Sequence, residues 1–254
     1  MSQASPSELL LDAERIPFRG WDFSVLGDRL VLEPPPWSFA KIADRAALDA
    51  TSMLDMGTGG GEWLSSRRHP SCAVATESWP PNVPIAAKRL GPFGITVVQD
   101  EGAVDNVDQA PGHGRGRLAF RDGAFDLVIN RHEAFVAHEV RRVLRSGGLF
   151  ITQQATAGSR QFHELLGLEP QDAQEFNLAL AVDQLEQAGL RVDHAEAGSA
   201  TIVFADIGAL AWYLTNVPWA VPGFDVETFR DALLMLHGHP IRVVSDRFWL
   251  RARA

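Results

Sequence analysis

The stretch Met53-Leu54-Asp55-Met56-Gly57-Thr58-Gly59-Gly60-Gly61-Glu62-Trp63-Leu64 constrains this chain more than any other. A short apolar run leads into a glycine turn, with glycines at alternate positions 57, 59 and 61 behind an acid at 55. Glycine adopts positive φ without a side-chain clash and lets a ligand approach main-chain N–H groups. A turn of this kind, at the carboxyl edge of a parallel sheet, is where open α/β folds hold ligands.

The sequence on both sides supports such a sheet. Strands are expected at 52–56, 73–77, 95–99, 125–130 and 149–154, each apolar or β-branched. Helices are expected at 60–68, 81–90 and 133–144 between them, the last closed by Ser146-Gly147-Gly148. Residues 101–116 are polar and glycine-bearing, hence loop. Strands separated by helical crossovers imply a doubly wound α/β fold. The expectation is a mostly parallel seven-stranded sheet with helices on both faces and a small helical cap. Upstream, Ser5-Pro6-Ser7-Glu8 is a capping signal for a short helix. Phe18, Trp21 and Phe23 cover a core edge, Glu33 to Trp37 is a proline-stiffened strap, and a helix is expected at 39–48. Downstream, a turn at 157–160 precedes helices at 162–168 and 178–188 and strands at 191–196 and 200–204. A helix at 207–214 then meets the proline-aromatic stretch 216–224, which reads as a lid or pocket wall. Asp225 caps a helix at 226–236, and a last strand lies within 241–253.

Two nucleotide-binding patterns fail at the turn. The dinucleotide fingerprint G-x-G-x-x-G needs glycine where Glu62 or Leu64 stands, and the phosphate loop needs a lysine that is missing. What fits is acid-x-Gly-x-Gly-x-Gly on Asp55, Gly57, Gly59 and Gly61. This resembles the first motif of the class I S-adenosylmethionine (SAM) methyltransferases. SAM has no phosphate, so an acid beside the turn carries no electrostatic penalty and can face the ligand's ammonium side. Two further landmarks resemble the same superfamily. Leu118-Ala119-Phe120-Arg121-Asp122-Gly123-Ala124-Phe125-Asp126 precedes the fourth of these strands, with Ala119 in place of the usual proline. Arg142-Val143-Leu144-Arg145-Ser146-Gly147-Gly148 matches its helix-turn landmark, with Arg145 and Ser146 in place of lysine and proline. Together they cover about residues 50–154 and imply the cofactor class, not the acceptor.

The resemblance then locates a site. The cofactor would lie against Asp55, Gly57, Thr58, Gly59 and Gly61. Glu77 ends the next strand twenty residues after Gly57, where a carboxylate accepts hydrogen bonds from both ribose hydroxyls. The adenine edge falls to the loop after the third strand, either to Asp100 or to Asp105-Asn106. The 125–130 strand ends in Asn130-Arg131-His132-Glu133, which borders the methyl group and acceptor in that family. His132 is the candidate general base and Glu133 its orienter or a contact for a cationic acceptor; the alternative is that both open the next helix. No G-x-S-x-G nucleophile elbow is present, nor the N-P-P-Y of adenine amino-methylation.

Composition narrows the partners. A net charge of −9 repels phosphate backbones, which disfavours a general nucleic-acid binder. A single cysteine, Cys72, excludes a disulfide framework and suits a reducing cytoplasm. No run of 18 apolar residues occurs, so no membrane span is expected, and the histidines lack metal-ligand spacing. The expected organisation is one domain over 1–254. Residues 1–50 form a strap, 51–154 the SAM-binding core, 155–240 a substrate-side cap with outer strands, and 241–254 the last strand. Phe162, Trp212, Tyr213, Trp219 and Phe224 would line an apolar pocket for a small-molecule acceptor. A SAM-binding module without turnover and an RNA methyltransferase are the competing expectations, with a nicotinamide dehydrogenase already weakened by Glu62. Oligomeric state is not legible.

Overall fold

Along β2 (Ser52–Met56) and β5 (Phe125–Arg131), successive side chains enter opposite cores. Met53, Leu127 and Ile129 face one side; Leu54 and Val128 face the other. That alternation is the period-two geometry of a strand, and apolar residues on both faces mean cover on both. The computed structural model describes residues 4–107, 116–156, 159–169 and 176–254. The first face is covered by α2 (Phe39–Ala46) and α3 (Val83–Leu90). The second is covered by α4 (Ala137–Val143) and α6 (Leu178–Gln187).

The sheet is completed by β1 (Leu30–Glu33), β3 (Cys72–Glu77), β4 (Thr96–Gln99), β6 (Leu144–Ala155), β7 (Arg191–Phe204) and β8 (Ile241–Arg253). Its order is β1-β7-β8-β6-β5-β2-β3-β4. From β6 to β4 all neighbours pair in parallel; β8, β7 and β1 add antiparallel partners at the other side. A third apolar cluster packs α1 (Pro6–Arg15), α5 (Ser159–Leu165), α7 (Ile207–Asn216) and α8 (Arg230–Met235) against the far ends of β7 and β8. The capping box before α1 forms as its sequence implies, with Ser5 N donating to Glu8 Oε2 at 2.7 Å.

Several expectations need correction. The sheet has eight strands, not seven, because β1 pairs with the outer edge of β7 from Leu30–Phe204 to Glu33–Thr201. Only Leu30 of β1 is fully buried, so the segment shows no strand-like alternation of its own. The helix expected at 60–68 is a single tight turn, Leu64–Ser66. There the Ser65 and Ser66 hydroxyls bond back to the carbonyls of Glu62 and Trp63, at 3.0 and 2.9 Å. Such local bonds compete with helix propagation. Asp44 then draws Arg67 and the Arg68 N–H outward, at 3.0 and 2.9 Å. The two strands expected at 191–204 are one, and the helix expected at 226–236 shrinks to α8. Residues 108–115 of the expected loop, and Ala157 and Gly158 of the expected turn, lie outside the described residues. Among the described residues, no helix is long and apolar enough to cross a membrane.

Candidate functional site

The carboxyl ends of β2, β3, β4 and β5 converge on the glycine turn. Gly57, Gly59 and Gly61 all have positive φ, at 67°, 64° and 78°. Space demands glycine as much as the dihedrals do. A Cβ on Gly57 would stand 2.5 Å from Glu133 Cβ, and one on Gly61 would stand 2.8 Å from Leu90 Cγ. The turn is pinned by Thr58 N donating to the Thr76 carbonyl at 2.9 Å.

Glu77 is buried at the end of β3 and points at this turn. One carboxylate oxygen accepts from Gly59 N at 2.7 Å, the other from Trp79 N at 2.9 Å. With a third hydrogen bond from the Asn82 side chain, the carboxylate keeps one lone-pair direction open. Burial raises the Glu77 pKa, and the Trp79, Gly59 and Asn82 hydrogen bonds oppose the rise. Asp55 is buried beneath the turn and pushed up to about 7 by burial; the Thr58 hydroxyl and Arg131 oppose this, and Glu77 adds repulsion. Glu133 lies over Gly57 and Gly102. Burial, then repulsion from Glu77 and Asp100, lifts it to about 7 against a Ser78 hydrogen bond. The crevice is thus a cluster of carboxyl groups short of positive charge.

The other expected residues divide. Asp100 joins the cluster beside Glu77, its N–H donating to the Glu77 carbonyl at 3.1 Å. Its side chain accepts from Gly102 N and Ala119 N at 3.0 and 3.3 Å, which shapes the loop. Asp105 is exposed and accepts from Val107 N at 2.7 Å. Asn106 turns to the α4 side, where its Oδ1 accepts from Phe135 N at 3.0 Å. Asn130 is fully buried beside Met56 of β2. Its Oδ1 accepts from Thr152 Oγ1 at 3.0 Å and Gln154 Nε2 at 2.6 Å. Its Nδ2 has no partner among the described residues.

His132 has φ 67°, the one positive value for a non-glycine among the described residues. Such strain persists only where surrounding structure imposes it, and it clusters at functional sites. Many protein atoms surround the ring, but one side of it is open to solvent, as on a cleft floor. That crowding, then Arg247 and Arg131, holds its pKa well below the ordinary imidazole range. Both ring nitrogens meet donors: Gln153 Nε2 lies 3.1 Å from Nε2, and Arg247 Nη1 lies 3.2 Å from Nδ1. In either tautomer the ring's single lone pair faces one of these donors, a hydrogen bond that a general base would have to give up.

Sequence reasoning gave no role to Gln153, Arg131 or Arg247. Arg247 carries no local signal; only the antiparallel pairing of β8 with β6, Arg247 opposite Ala155, brings it here. Trp37 bonds Gln153 Oε1 through its indole N–H at 2.8 Å, so it touches the site's edge. The expected pocket aromatics mostly do not. Phe162 and Trp212 are core, Trp219 stacks on Trp21, and Phe224 stacks on Phe229. No group of three metal-ligating side chains forms among the described residues.

The acid cluster has a consequence for pH. A carboxyl whose folded pKa lies above its unfolded value binds more protons when folded, so stability falls as pH rises between the two values. For Asp55 and Glu133 that interval runs from the ordinary carboxylate range up to about 7. His132, held low, acts oppositely, an effect that fades above its ordinary value near 6.5. Between about pH 6.5 and 8 the two acids should therefore remove about 1.5 kcal/mol of stability. Urea unfolding of wild type and Glu133→Gln across that range checks this: the substitution should roughly halve the slope, and equal slopes would refute it.

No protein-family profile and no curated protein matches the sequence. Solved structures do match. A putative methyltransferase from Bacillus halodurans superposes with a TM-score of 0.55 at 17% identity, over 85% of this chain and 98% of that one. The YcgJ protein from Bacillus subtilis gives 0.54 at 16% identity, over 84% and 97%. A putative sarcosine dimethylglycine methyltransferase from Galdieria sulphuraria gives 0.50 at 13% identity, over 85% and 83%. Glycine turn, strand pairing and these superpositions agree: the chain has the fold of the class I SAM-dependent methyltransferases.

Proposed function

We propose that this chain transfers the methyl group of SAM to a small-molecule acceptor. The observation that carries the reading is the cluster of Asp55, Glu77, Asp100 and Glu133 around a glycine turn. SAM bears a sulfonium and an ammonium, and a cation there relieves the carboxyl repulsion. The residues fit the cofactor in one further way: Asn130 Nδ2 is buried at the crevice floor without a partner among the described residues. Glu77 would meet the ribose hydroxyls on its remaining lone pair, and Gly57 to Gly61 would lie along the aminoacyl part. Asp100, beside Glu77, is better placed than exposed Asp105 or the turned-away Asn106 to meet the adenine edge.

When bound, SAM supplies an electrophilic methyl on sulfonium. The chain's own work is to bring a nucleophile into line with it and exclude water. Asn130, locked by Thr152 and Gln154, sets the floor between the β2 and β5 ends. His132 positions rather than deprotonates. Glu133, titrating near neutrality, is the group able to accept a proton. On the acceptor side, α7 brings Tyr213 beside Arg247.

Calorimetry with SAM and its demethylated product tests the cofactor half. Both should bind at micromolar concentration, and no heat from either at high micromolar levels sinks the reading. Labelled SAM with fractionated extract tests turnover, since a module that only binds SAM would leave every small-molecule fraction unlabelled.

A further inference from the structure

Beside the acid cluster lies a patch of opposite character. Trp37 Nε1, Gln153 Nε2 and Arg247 Nη1 are donors arranged along a chain that runs Trp37–Gln153–His132–Arg247. Gln153 Oε1 is taken by Trp37 at 2.8 Å, which orients the amide so that its NH₂ faces His132 Nε2. A neutral imidazole has one lone pair. With Nε2 accepting from Gln153, Nδ1 carries the proton and faces the Arg247 guanidinium at 3.2 Å. Two donors then confront each other with no acceptor between them. The mismatch falls on the solvent side of the ring, where a ligand can reach it.

Charge agrees with this count. Arg247 is half-buried, and the neighbour whose charge would favour its cationic form is not a carboxylate but the Tyr213 phenol, which burial keeps protonated at neutral pH. Arg131, half-buried over the Trp63 ring at 5.2 Å, adds a second cation that repels Arg247. A half-buried guanidinium without an anion is costly, and its planar fork matches an anionic oxygen group. We propose that the methyl acceptor carries an anionic oxygen group, a carboxylate or a phosphate monoester, seated between Arg247 and His132 Nδ1–H with Arg131 behind. This rests on the methyltransferase reading and specifies its acceptor. The site then separates its two ligands by charge, cationic cofactor on the carboxyl cluster and anionic acceptor on the arginines.

Benzoate, phenyl phosphate and neutral benzyl alcohol, titrated into protein saturated with S-adenosylhomocysteine, test it. Binding is read by calorimetry and by the His132 imidazole signals in NMR. At least one anion should bind about tenfold or more tighter than the alcohol and shift those signals. Benzoate ahead of phenyl phosphate assigns a carboxylate; the reverse order assigns a phosphate. Arg247→Gln should lose about tenfold or more of that affinity, with partial return in Arg247→Lys. Equal binding of alcohol and anions to the wild type overturns the proposal even if the variants do not fold. Homocysteine-nucleoside binding on the same samples keeps the readings apart. If it fails while anions still bind, the methyltransferase reading falls and the anion site stands.

Discussion

Gly57→Ala is expected to lower SAM affinity by at least about 100-fold, equivalent to nearly 3 kcal/mol. Two causes add. Alanine at φ 67° costs about 1–2 kcal/mol of backbone strain, which also shows as reduced stability. Its Cβ would also stand 2.5 Å from Glu133 Cβ, an atom carried directly by the chain, so the β2 and β5 ends must part. Parting them displaces Asn130, the residue paired with Met56 across those strands. Calorimetry for binding and urea unfolding for stability separate the two effects. A Gly57→Ala protein that binds SAM like wild type would remove the turn from the cofactor site.

Glu77→Ala is the second large effect, a loss of about 1–3 kcal/mol in cofactor binding. The carboxylate serves twice. It would accept the ribose hydroxyls, and it already holds Gly59 N and Trp79 N, so its removal also leaves buried donors unpaired. Glu77→Gln distinguishes these roles. Its amide keeps one acceptor oxygen for the main chain and presents a donor to the sugar. It should therefore retain more stability than alanine yet bind SAM nearly as poorly. Wild-type affinity in Glu77→Gln would refute the ribose assignment while leaving the structural role intact.

The two substitutions bear on one arrangement, carboxyl groups collected around the glycine turn. The cofactor's positive charge would satisfy that arrangement, and the neutral-pH titration of Asp55 and Glu133 reports on it. Arg247 stands apart from it, because it reaches His132 from β8, whereas the acids stand at the ends of β2, β3 and β4 and just beyond β5; Arg131 links the two through Asp55.

Local sequence settled the parallel core. Five apolar runs with glycine, proline and polar breaks between them specify strands and crossovers, because strand and helix periodicities are short-range properties. It also placed the glycine turn and Glu77 together, since a strand, a turn and the next strand end are bound by their spacing. It missed β1, whose pairing exists only because β7 presents an open edge. It expected a helix after Gly61, where serine hydroxyls and an Asp44 clamp from a distant element prevail. It gave His132 a base's role from residue type and its place at a strand end. The donors that face the two ring nitrogens come from β6 and β8, 21 and 115 residues away. Short-range pattern thus determined which strands form and where the ligand crevice opens. Which charges face one another across that crevice was decided only by long-range pairing, because electrostatic and hydrogen-bond partners depend on distance in space rather than along the chain.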